Sequence, residues 1–219
     1  MSRISLLGVV LATLLASPPV AAQMQGSDST ADHSEFEALQ GPFADATEVT
    51  EACLSCHTEA AEQVQGSIHW TWEYEHPVTG QTLGKQNVIN AFCGNVASNE
   101  PRCTSCHAGY GWEDTESFDF TDETRVDCLA CHDTTGQYVK WPTKAGHPLY
   151  DPLDRKSPYR PYADALLQEN PDGTVTHLPP ELSKIAQNVG QPDRENCGNC
   201  HFYGGGGDNV KHGDLSSAL

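Results

Sequence analysis

The chain has 219 residues, a formal net charge of −18 and 37% hydrophobic residues, with nine Cys and ten His. A surface this acidic excludes nucleic acid and anionic membranes as partners; it suits docking of a basic partner protein, and an anionic substrate would need a local basic pocket. Nineteen Gly and fourteen Pro beside so small an apolar fraction leave little side-chain material for a core, so a non-protein group is expected to supply apolar bulk.

Residues 1–22, MSRISLLGVVLATLLASPPVAA, have the layout of a secretory signal peptide. Arg3 supplies the basic start, Ile4–Ala16 the apolar stretch, and Val20, Ala21 and Ala22 the small residues ahead of a cut before Gln23. The apolar stretch is too short for a bilayer span and no later run is long enough, so the mature chain is expected in the periplasm with no membrane span. Residues 23–40, rich in Ser, Asp and Glu, are expected to be a flexible leader, and 41–219 one domain. The segment TEACLSCHTEAAEQVQGSIHW, residues 50–70, reads as helical. Eight prolines break residues 141–180, which are expected to be mostly irregular with a short helix near Ala163–Gln168. A further helix is expected across Pro180–Val189, ending at Gly190, and a tight turn at the glycine run 204–207. The expected fold class is mainly α and loop-rich, with few or no strands.

Four copies of one motif dominate the chain: CLSCH at 53–57, CTSCH at 103–107, CLACH at 128–132 and CGNCH at 197–201. Each is Cys-x-x-Cys-His, the attachment signature of c-type haem. Two thioethers fix the porphyrin edge to a short turn, and the next residue is a histidine that reaches the iron. Cys53, Cys56, Cys103, Cys106, Cys128, Cys131, Cys197 and Cys200 are therefore expected to hold four covalently bound haem c groups, with His57, His107, His132 and His201 as proximal ligands. Zinc sites, redox dithiols and structural disulfides are the rival readings; none requires His after the second Cys in every copy. With four macrocycles as the interior, the thin apolar complement is explained.

Six histidines remain for the opposite faces of the irons. His69, in GSIHW, His147, in AGHPLY, and His212, in VKHGD, are expected to be distal ligands. His33 could fold back from the leader onto a haem, whereas His76 and His177, in polar loops near prolines, are expected to be exposed. Cys93 belongs to no motif; a lone thiol is by default a small buried hydrophobe.

The segments GPFADATEVTEACLSCHTEAAEQVQGSIHWTW, NVINAFC, RCTSCHAGYGW, VDCLACHDTTGQY, LSKIAQNVG and ENCGNCHFYGGGGDNVKHGDL resemble the octahaem tetrathionate reductase family of periplasmic multihaem cytochromes c. The resemblance runs from about residue 41 to the C-terminus. It implies that the second haem along the chain is catalytic and carries a lysine in place of a second histidine. By position that lysine is Lys184, in ELSKIAQ, and the residues facing the haem are Asn90 and Cys93, in NAFC. Glu181 stands where the family pattern leads one to expect aspartate. The implied function is reduction of tetrathionate, and of nitrite or hydroxylamine, with a periplasmic or quinol-linked redox protein as electron donor. A thiolate at Cys93 could open the central S–S bond of tetrathionate, with Lys184 and Arg102 offsetting the substrate's charge. The family carries eight haem motifs and this chain four, so the chain is expected to be the first half of such a protein; a tetrahaem electron-transfer protein without a substrate is the alternative.

Overall fold

A computed structural model describes residues 31–84, 104–114, 116–159 and 161–202. Its helices are short: α1 (Ala46–Leu54), α2 (Ala60–Gln65), α3 (Ile68–Thr71), α4 (Cys128–His132), α5 (Leu182–Gln187) and α6 (Arg194–His201). Single 3₁₀ turns lie at His33–Glu35, Glu37–Leu39, Thr104–Cys106, Glu123–Arg125 and Asp164–Leu166. Among the described residues no helix is long and apolar enough to cross a membrane.

Aspartate caps decide where the motif-bearing helices begin. Asp45 accepts the Thr47 and Glu48 amides at the start of α1, at 2.8 and 3.2 Å. Asp127 accepts the Ala130 amide of α4 at 3.1 Å. Asp193 and Asn196 form a reciprocal capping box on α6. The first motif accordingly starts in the last turn of α1, the third is the whole of α4, and the fourth closes α6, while Thr104–Cys106 of the second form a 3₁₀ turn. Each motif sits on a short, anchored element that fixes the direction of its histidine.

Strand content is small: β1 (Glu73–Glu75), β2 (Thr82–Gly84), β3 (Leu153–Arg155), β4 (Leu167–Glu169) and β5 (Val175–His177). β1 and β2 form an antiparallel hairpin; β3, β5 and β4, in that order, form an antiparallel three-stranded sheet. The segment 141–180 is thus more ordered than its prolines suggest, and the helix expected near Ala163–Gln168 is a single 3₁₀ turn running directly into β4.

The apolar interior is divided among three small clusters. One gathers Val49 of α1, Leu129 of α4 and Ile185 of α5 with Tyr110 and Tyr138. A second is aromatic, built from Trp70, Trp72, Trp112 and Phe118. The third packs Val139, Trp141, Leu149, Tyr162 and Leu166 beside the three-stranded sheet. No one of these is a thick core, in keeping with the low apolar content.

Candidate haem centres

Three of the four motif histidines lie near the surface: His57 and His132 are exposed and His201 is partly so. Two of them face a second imidazole. The His33 and His57 ring centres are 6.3 Å apart, and so are those of His69 and His201. With a metal–nitrogen bond of about 2 Å and about 1.1 Å from nitrogen to ring centre, imidazoles on opposite sides of one metal have centres roughly 6.2 Å apart. Both separations fit axial ligation of one iron by two histidines. His69 stands on α3, a separate helix from α1, and faces the fourth motif.

His132 fits a haem in another way. Its Nδ1 lies 2.7 Å from the Gly190 carbonyl, which can only accept, so the proton is on Nδ1 and the Nε2 lone pair is open. A hydrogen bond from the far ring nitrogen to a backbone carbonyl fixes the tautomer and orientation of a metal-binding histidine. His147 is half-buried, stacked on Tyr110 at 5.4 Å, with its Nδ1 2.8 Å from the Tyr150 hydroxyl. Its imidazole is held but faces no motif histidine in any described ring contact.

His107 differs from the other three. It is 1% exposed and enclosed by Trp70, Trp72, Trp112 and Phe118, with ring centres 4.3–5.8 Å away. Its Nε2 donates to the Trp70 carbonyl at 2.7 Å, and Nδ1 is buried without a partner. Burial in this box, with the Lys140 charge nearby, pushes its pKa down to about 3, so the ring is neutral. Metal binding at Nε2 would require the ring to give up the Trp70 carbonyl; the buried Nδ1 without a partner marks a ring whose polar needs are half met.

The motif cysteines meet across the chain. The thiols of Cys53 and Cys128 are neighbours, and the Cys53 thiol and then burial push Cys128 well above the ordinary thiol range. Cys106 Sγ lies 3.9 Å from the Cys200 carbonyl, and the Cys106 thiol together with burial raises the pKa of Cys200. The first motif therefore abuts the third, and the second abuts the fourth. Among the described residues no group of three or more His, Cys, Asp or Glu is placed to hold a bare metal ion; tetrahedral zinc needs more donors than a facing pair of imidazoles supplies.

Lys184 is exposed on α5, which packs against α1 and the 3₁₀ turns at 33–39. No described contact joins it to His107. Asn90, Cys93, Cys103, Arg102 and His212 lie outside the described residues. Glu181 is the residue preceding α5, where its side chain makes no capping hydrogen bond. His76 behaves as a loop residue, its Nδ1 accepting the Val78 and Thr79 amides at 3.3 Å. His177, expected to be exposed, is fully buried against Trp141 and Tyr162, with Nε2 accepting the Tyr159 amide at 3.0 Å. The β5 register turns this histidine inward, a fact that its polar sequence neighbours conceal.

The sequence reading missed a buried polar network between the motifs. Lys140 Nζ lies 3.1 Å from Asp127 Oδ2, with side-chain exposures of 7% and 0%. Lys140 also donates to the carbonyls of His107 and Gly109. Asp127 accepts the hydroxyls of Tyr110 at 2.9 Å and Tyr138 at 3.1 Å. Burial, and then the Asp127 charge, hold both phenols well above the usual tyrosine range. Thr50 of α1 completes the set, donating to the Val126 carbonyl at 2.6 Å and lying 3.4 Å from the Tyr110 hydroxyl. One signal pointed here: an Asp directly ahead of CLACH is a helix-start residue.

The family described as cytochrome c554 and c-prime matches residues 52–133, a stretch holding the first three motifs. The crystal structure of octaheme cytochrome c from Shewanella oneidensis superposes with a TM-score of 0.63 at 48% sequence identity. That match covers 86% of this chain and 35% of the other, so the chain spans about a third of the length of that protein. No curated protein matches the chain.

Proposed function

From the premise that this chain belongs to the octahaem multihaem c-type cytochromes, we propose that it carries four covalent haem c groups and forms the electron-supplying and catalytic part of a periplasmic oxidoreductase of the tetrathionate reductase kind. The observation that carries this reading is the contrast among the motif histidines. His57 and His201 each face a second imidazole 6.3 Å away, whereas the described ring neighbours of His107 are three tryptophans and a phenylalanine. An iron with two strong histidine ligands transfers electrons and leaves no position for substrate; catalysis needs a position that is open or weakly filled. The second and third motifs both lack a described imidazole partner, and the second is the one for which the resemblance implies a lysine.

Bound haem would supply one-electron redox chemistry at each site. The chain's own residues do the rest. His33, His57, His69 and His201 would hold haem iron, and His132 presents Nε2 for the same role because Gly190 takes its other nitrogen. Cys93 is the nucleophile: its thiolate attacks a central sulfur of tetrathionate, breaking the central S–S bond to form the mixed disulfide Cys–S–S–SO₃⁻ and expelling one thiosulfate. Two electrons then cleave that mixed disulfide, releasing the second thiosulfate and restoring the thiolate. Lys184 is the displaceable amine, Asn90 orients the substrate, and Arg102 helps to offset its negative charge. Residues 1–22 direct export.

The test combines ligand spectroscopy with turnover on the haem-matured chain. One amine-ligated iron that is lost in Lys184→Ala, together with tetrathionate reduction from a viologen donor that is abolished in Cys93→Ala, is the expected result. Histidine pairs on all four irons would leave an electron-transfer protein without a substrate, and unchanged turnover in Cys93→Ala would rule out the thiol mechanism.

A further inference from the structure

The Asp127–Lys140 pair is an expensive feature in a chain with so little core. Two charges are withdrawn from water, and removing either partner would strand the other. Stability alone does not call for the pair, because apolar residues of similar volume would serve a packed interior as well. Its orientation relative to the haem motifs is the informative feature. Asp127 directly precedes Cys128 and caps the helix that constitutes the third motif. Lys140 points the other way, donating to the carbonyl of His107. The residue before His107 is Cys106, whose sulfur lies 3.9 Å from the Cys200 carbonyl of the fourth motif. The third and fourth motifs are themselves in contact: the Asn196 amide of α6 donates to the Asp133 carbonyl after α4 at 2.8 Å. The negative end of the pair thus lies at the third motif and the positive end where the second and fourth meet.

We infer that Asp127 and Lys140 form an internal electrostatic step that holds an electron at the fourth motif in preference to the third. An added electron lowers the charge of the group that receives it, so a nearby cation raises that group's reduction potential and a nearby anion lowers it. The redistribution moves one electron, oxidising the group on the third motif and reducing that on the fourth, with no proton transferred. It rests on haem attachment at these motifs and is independent of the substrate.

The experiment is a potentiometric titration of the haem-loaded protein, reading individual potentials rather than activity. Lys140→Met is expected to lower the fourth-motif potential and Asp127→Asn, which retains a capping oxygen, to raise that of the third. Each change is of the order of tenfold in electron partition, or about 59 mV. Structural damage that admits water would move both variants in one direction, so opposite signs separate a field effect from loosening. Should a single variant fail to fold, Asp127→Asn with Lys140→Met leaves no stranded charge, and the third and fourth potentials are expected to converge. The exposed Lys144→Met is expected to change nothing. Same-sign shifts in the single variants, or an unchanged gap in the double variant, would overturn the inference. Absence of haem from the third and fourth motifs would overturn the haem assignment itself.

Discussion

Replacement of His33 or His69 by alanine tests the imidazole pairs directly. Each substitution removes one of two rings whose centres are 6.3 Å apart, and the two pairs share no residue. Each variant should therefore convert one of the four proposed centres from low spin to high spin. The double variant should convert two, because effects at separate sites with no shared partner add. The cost in folding is small: His69 is exposed and His33 half-exposed, and such surface changes usually stay within about 0.5 kcal/mol. Electron paramagnetic resonance of the oxidised protein counts the two spin states, and free imidazole added to either variant should restore the low-spin signal. The reasoning fails if His33→Ala leaves the spin count unchanged. It also fails if the double variant loses no more than one single variant, which would place both rings on one centre.

Two further outcomes concern the frame that holds the motifs. Ile185→Ala, at a 0% exposed position between α5 and α1, should cost about 2–5 kcal/mol in urea unfolding, and a loss under about 1 kcal/mol would show that the site collapses around the gap. His177 is held below the ordinary histidine range by burial, so the unfolded chain binds its proton more readily than the folded one. The stability it supports is complete above about pH 6.5 and is lost as the pH falls through that value towards the folded pKa. Relative to His177→Gln, which keeps an acceptor for the Tyr159 amide, the wild-type protein should lose stability below pH 6.5 in denaturant titrations; parallel curves would refute it.

Motif chemistry was legible in the sequence because it is written locally. A Cys-x-x-Cys-His run carries its own candidate ligand, and the Leu182–Gln187 helix lies within the Pro180–Val189 span read from its Gly190 stop. The three-stranded sheet was not legible, for a physical reason. Leu153, Asp154 and Arg155 of β3 are all exposed, so no alternation marks the strand. Each strand is also three residues long, and its order comes from pairing with segments distant in sequence. The burial of His177 follows from that register and was hidden with it. The Asp127–Lys140 pair was invisible for a different reason: a lysine twelve residues into a Pro- and Gly-broken stretch has no periodicity to show that it points inward.

The spatial order of the motifs has a consequence for how electrons and chain connectivity relate. Motifs distant in sequence meet: Cys53 of the first lies against Cys128 of the third, and Cys106 of the second against the Cys200 carbonyl of the fourth. Facing imidazoles cross the chain too, since His69, between the first and second motifs, lies against His201 of the fourth. Contacts of such sequence separation are costly to close in a chain of short helices and divided clusters. The groups bound at the motifs tie distant segments together, as metal binding does wherever it coincides with folding. A chain cut between the second and third motifs would therefore leave each half without its neighbouring thiols, and the half carrying the fourth motif without the ring that faces His201.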